Sequence, residues 1–122
     1  MKVFINLVVM SIDSIKRSIE REKDHIDGLK KYIERYRKDM ARYREQKKRE
    51  TERYNDRLKR ASSTSQKQSI RNSKRNAIDS IKRNIDRKKH DIDSKKDYIR
   101  RSREKIKDYR DDIKRERARK RR

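Results

Sequence analysis

Ile78, Ile85, Ile92, Ile99, Ile106 and Ile113 recur every seventh residue without a miss. A strict seven-residue apolar repeat puts one stripe of isoleucine on a helix, and that stripe needs a partner helix to cover it. The chain has no proline, and Gly28 is its only glycine, so almost nothing interrupts helix formation.

The same period runs through residues 11–60. With Ile12, Ile19, Ile26, Ile33, Met40, Lys47 and Tyr54 at the a positions, the d positions hold Ile15, Glu22, Leu29, Tyr36, Tyr43, Glu50 and Arg57. In the second stretch the isoleucines take a, and Ile81, Lys88, Lys95, Ser102, Tyr109 and Glu116 take d. Between them the small polar run ASSTSQ at 61–66 reads as a turn. The expected organisation is an apolar N-terminal segment at 1–10, a first helix at 11–60, a polar, basic turn at 61–69, and a second helix with a basic tail at 70–122. In segment 1–10, β-branched residues permit a short strand, while Ile5 and Val8 continue the heptad backwards, so both alternatives stay open.

The two helices are copies. Aligning 11–50 with 77–116 at an offset of 66 gives 21 identities in 40 positions, including IDSIKR at 12–17 and 78–83. One amphipathic helix cannot bury its seam alone, and a duplicated one can bury it against its copy. In an antiparallel pair a lies opposite d, and the matched positions Ile15 with Ile113, Leu29 with Ile99 and Tyr43 with Ile85 all add to 128. Half of that is 64, and Thr64 is the middle of the polar turn, so register and turn agree.

Hydrophobic residues are 28% and charged residues 52% of the chain, too lean for a broad core but sufficient for a narrow seam. Low hydrophobicity with high charge is also the signature of disorder, against which the isoleucine heptad argues. The expected fold is therefore all-α, a long antiparallel helical hairpin forming a two-helix coiled coil from a duplicated amphipathic helix. Layers such as Met40 with Lys88 and Lys47 with Ile81 pair an apolar with a basic residue, whose long stem can lie on the seam. So thin a seam is marginal alone, and a homo-oligomer or a hetero-complex is expected to complete it.

The formal net charge is +22, which points to nucleic acid or an acidic protein surface as partner. The e positions from Lys16 to Arg44 and from Lys82 to Arg117 are all basic: Lys16, Lys23, Lys30, Arg37 and Arg44 on the first helix, and Lys82, Lys89, Lys96, Arg103, Arg110 and Arg117 on the second. Carboxylates four residues on, such as Glu20 and Asp86, can screen the lysines, but Arg44 and Arg110 are followed there by Lys48 and Lys114. The candidate polyanion-binding edge is Arg37, Arg44, Lys48, Lys89, Lys96, Arg103, Lys107, Arg110 and Lys114. A second basic group surrounds the turn, with Arg60, Lys67, Arg71, Lys74 and Arg75 among serines and amides of the kind that hold phosphates. The apolar residues Val3, Phe4, Ile5, Leu7, Val8, Val9 and Met10 extend past the register of the opposite helix and read as a protein-interaction element.

No catalytic chemistry emerges. There is no cysteine, His25 and His90 occupy different heptad positions, and neither a glycine-rich phosphate loop nor a nucleophile paired with a base is present. Two packed helices offer no enclosed pocket. A non-enzymatic protein without metal or cofactor is expected. Segment 1–10 is too short to span a membrane, and the chain reads as intracellular, in the cytoplasm, with membrane association disfavoured. Tyr36, Tyr43, Tyr54 and Tyr109 read as core, while Tyr32 and Tyr98 face one another at g, to stack or to widen an apolar surface. The leading functional reading is binding of nucleic-acid phosphates with little sequence preference. The alternative is a structural protein, such as a phage or mobile-element scaffold, assembly factor or inhibitor, that docks on an acidic protein surface through its N-terminus and seam.

Overall fold

The computed structural model describes the backbone of residues 2–121 and the side chains of residues 11–119. Two long α-helices, α1 (Lys2–Arg60) and α2 (Thr64–Arg121), pack against each other, and no strand occurs among the described residues. Because α1 begins at Lys2, segment 1–10 takes the helical alternative in its backbone. The interaction element expected from Val3 to Met10 lies outside the described side chains.

The turn is shorter than the 61–69 expected, and α2 starts at Thr64 rather than at residue 70. The reason is a cap that the sequence encodes as Ser-Thr-Ser-Gln at 63–66. The Ser63 hydroxyl accepts the Gln66 backbone N–H at 3.1 Å. The Gln66 side-chain carbonyl accepts the Ser62 N–H at 3.1 Å and the Ser62 hydroxyl at 3.2 Å. Reciprocal capping of this kind satisfies donors that a helix start would otherwise leave open, and a serine cap contributes about 1 kcal/mol. On the other side of the turn, Ala61 N–H donates to the Leu58 carbonyl at 3.3 Å.

The chain divides into two compact units. The terminal unit joins Met1–Tyr32 to Ser94–Arg122. Its core is Ile19, Ile26 and Leu29 with Ile99, Ile106 and Ile113, together with Ser102, which is only 4% exposed. Lys105 Nζ lies 3.8 Å from Glu22 Oε1, and Lys95 lies against Tyr32, so the two segments run antiparallel.

The turn unit is Ile33–Asp93, a helical hairpin in itself. Its core is Ile33, Met40, Tyr54, Ile81, Ile85 and Ile92. Lys88 Nζ lies 3.6 Å from Asp39 Oδ2, and Lys74 Nζ donates to Asn55 Oδ1 at 2.8 Å.

In both units burial follows the heptad, because each a position sits over the partner helix. Every a and d position from Ile12 to Tyr54 and from Ile78 to Glu116 is buried or half-buried. Arg57, a d position by the same count, is exposed and sets its guanidinium 5.5 Å from the Tyr54 ring centroid. Burying one isoleucine contributes about 1.5–3 kcal/mol, so these stripes are the main source of stability. A Cβ added at Gly28 would meet nothing within 4 Å, so no close approach of backbone requires glycine there.

Candidate polyanion-binding clefts

The basic e residues flank the buried a residues and are all exposed. Antiparallel packing brings e from one helix beside e of the other, and in each unit the result is a groove with basic walls and an isoleucine floor.

In the terminal unit a groove of about 600 Å³ is lined by Lys16, Lys23, Arg110, Lys114 and Arg117, with Glu20 as its one acid and Ile19 and Ile113 beneath. Glu20 pairs with Lys23 at 3.6 Å across i,i+3. Both partners are exposed, and such a pair is worth about 0–1 kcal/mol, too little to remove Lys23 as a cation.

In the turn unit a groove of about 610 Å³ is lined by Arg44, Lys47, Lys48, Lys82 and Lys89, with Glu52 and Asp86 as acids and Ile85 and Thr51 completing the wall. The Thr51 hydroxyl donates to the Lys47 carbonyl at 2.8 Å, so its only proton is already used. Lys47 is an a position whose stem is expected to lie along the seam with its charge at the edge. It is half-buried and lines the groove, because a four-carbon stem can cover apolar surface while its ammonium stays solvated.

Of the expected edge residues, Arg44, Lys48 and Lys89 come together in the turn unit, and Arg110 and Lys114 in the terminal unit. Arg37, Lys96, Arg103 and Lys107 are exposed but line neither groove. Lys16, Lys23, Lys82 and Arg117 also line the grooves, beyond the residues the sequence pattern singles out. The carboxylates four residues after the lysines screen them only weakly, because the side chains are exposed.

The turn differs more from expectation. Arg60, Lys67, Arg71 and Arg75 are exposed, but Lys74 is half-buried and donates to Asn55. Some of the neutral groups around the turn are engaged locally: Ser62 and Ser63 close the cap with Gln66, and Gln68 Nε2 donates to Asn72 Oδ1 at 3.3 Å.

The tyrosines gather cations. Tyr54 is buried, and Tyr36, Tyr43 and Tyr109 are half-buried. Tyr32 and Tyr98 are 44% and 48% exposed, and Lys95 Nζ lies 5.3 Å and 5.9 Å from their ring centroids. The two g-position rings therefore converge on one ammonium, an arrangement worth about 0.5–1 kcal/mol per exposed ring. Lys88 Nζ lies 4.7 Å from the Tyr36 ring centroid as well as beside Asp39. The hydrogen bond from Arg42 holds the Asp39 carboxyl below the ordinary aspartate range against an opposing desolvation cost, with the charges of Arg42 and then Lys88 adding to the effect.

Among the described residues no group of three or more His, Cys, Asp or Glu is placed to hold a metal ion. No described helix is long and apolar enough to cross a membrane. No protein-family model, curated protein or solved structure matches the chain.

Proposed function

We propose that this protein is a non-enzymatic coiled-coil hairpin that binds nucleic acid through its phosphates. The observation that supports this reading most is the lining of the clefts: five cations against one acid in the terminal unit, and five against two in the turn unit. Like charges held side by side on a packed seam raise the local positive potential, and a polyanion relieves their repulsion. Arg44, Arg110 and Arg117 can each grip a phosphate through two parallel N–H donors, while the lysines act as point charges. Nothing in either cleft is shaped to read base edges, so affinity comes from released counterions and little from sequence.

The test is binding of random-sequence duplex DNA and single-stranded RNA across a salt series. A log-log salt plot should be linear with a slope of about −2 or steeper, since each neutralised phosphate contributes roughly −0.9 on duplex DNA. Arg44→Glu combined with Arg110→Glu should weaken binding at least about tenfold at fixed salt, given two reversed charges. Negligible binding near physiological salt, or equal affinity for polyglutamate, would reject the reading and return attention to an acidic protein surface.

A further inference from the structure

We infer that each chain carries two copies of one phosphate-binding site, one per unit, with the roles of α1 and α2 exchanged, and that the terminal copy binds phosphate more tightly. The inference rests on the reading of the clefts as phosphate sites given above.

The linings correspond residue by residue at the offset of 66. Lys16, Ile19, Glu20 and Lys23 of α1 in the terminal cleft match Lys82, Ile85, Asp86 and Lys89 of α2 in the turn cleft. Arg110, Ile113, Lys114 and Arg117 of α2 match Arg44, Lys47, Lys48 and Thr51 of α1. Every lining residue of the terminal cleft thus has its counterpart in the turn cleft. Two copies of one helix packed antiparallel present the same surface twice, because exchanging the helices restores the register.

The repeats keep the sign of charge across this surface where several other positions invert it. Outside the linings the aligned repeats reverse charge at Glu22/Lys88, Lys31/Asp97, Glu34/Arg100, Lys38/Glu104, Asp39/Lys105 and Arg42/Asp108. Within the linings no position reverses: Lys16/Lys82, Lys23/Lys89, Arg44/Arg110 and Lys48/Lys114 keep identity, and Glu20/Asp86 keeps its sign.

The copies differ in charge at three places. Arg117 stands where the turn cleft has Thr51, Ile113 where it has Lys47, and Ala118 where it has Glu52. The terminal cleft therefore has one acid fewer and a second guanidinium. We expect its affinity to be about fivefold higher, the effect of one exposed charge pair.

The experiment is an NMR titration of the full-length, isotope-labelled chain with inorganic tripolyphosphate. Two sets of backbone amides should shift, one around residues 16–23 and 110–117 and the other around 44–52 and 82–89, with the first saturating at about fivefold lower concentration. Lys16→Gln with Arg117→Gln should abolish the first set and spare the second, and Arg44→Gln with Lys89→Gln should do the converse. Saturation of one cleft only, simultaneous loss of both sets in one variant, tighter binding in the turn unit, or no localised shift would each overturn the inference. Two independent tripolyphosphate sites in a chain that ignores DNA and RNA would uphold it and reject nucleic acid as the ligand.

Discussion

The terminal unit and the turn unit make the same cross-helix contact with opposite signs. In the terminal unit Glu22 of α1, at a d position, meets Lys105 of α2 at g. In the turn unit Lys88 of α2, at d, meets Asp39 of α1 at g. Each residue is the repeat counterpart of the one playing its part in the other unit, with the charge inverted. Geometry fixes that a d side chain reaches the g side chain across the seam. Complementarity then requires only that the two signs differ, so the pair can invert as a whole. The e-position clefts are not free in this way. Their cations meet other cations, and inverting one side alone would convert a basic groove into a neutral one.

The cores diverge along the same line. The terminal core is aliphatic apart from Ser102, whereas the turn unit holds Met40 and buried Tyr54, with Lys47 at the a position matching Ile113. If Met40 and Ile106 occupy equivalent holes, Ile106 should tolerate methionine and not alanine. Ile106→Ala should cost about 3 kcal/mol, from lost transfer energy plus the space left behind. Ile106→Met should cost about 1 kcal/mol or less. Urea unfolding separates the two, and equal losses would show that the units pack their seams differently.

The inverted ion pair gives a smaller but sharper test. Lys88→Glu places a carboxylate beside Asp39 and withdraws the ammonium from the Tyr36 ring, and should cost about 1 kcal/mol, allowing for partial exposure. Adding Asp39→Lys and Arg42→Asp recreates the signs of Glu22, Lys105 and Asp108 in the terminal unit and should recover most of the ionic part. A triple variant no more stable than Lys88→Glu alone would mean that the two contacts are alike in sequence only.

Much of this architecture was legible in the residue pattern. The seven-residue spacing of Ile78 to Ile113 named the buried stripe, and the run of basic e residues named the edge where the clefts form. The inverted pair was legible too, since Glu22 with Lys105 and Asp39 with Lys88 both add to 127, one short of the seam register. The start of α2 was encoded by Ser63 and Gln66 but was masked by reading a polar run as turn chemistry throughout. What the pattern could not give was the fate of long side chains. Lys47 reaches from the seam into a cleft, Lys95 settles between two tyrosines, and Lys74 is drawn to Asn55. Each has a stem long enough to reach several partners, and only the packed surroundings select one.

The smallest expected effect concerns Asp39, whose chief partner has no equivalent in the terminal unit. Arg42 donates to the Asp39 carboxylate and is the largest cause of its lowered affinity for protons, ahead of Lys88. The counterpart of Arg42 is Asp108, so this support exists in one unit alone. A carboxyl held below its unfolded value contributes stability that is fully present above about pH 3.9, the unfolded aspartate value, and is lost as pH falls through the lower folded value. The urea midpoint of the native chain should therefore show an acid-side decline that is shallower in Asp39→Asn, with the native chain the more stable above about pH 5. Arg42→Gln should flatten that decline more than Lys88→Gln does, because the Arg42 hydrogen bond dominates the shift. If Lys88→Gln flattens it more, the cross-helix contact rather than the neighbour on α1 holds Asp39 ionised, and the two units resemble one another more closely than their sequences suggest.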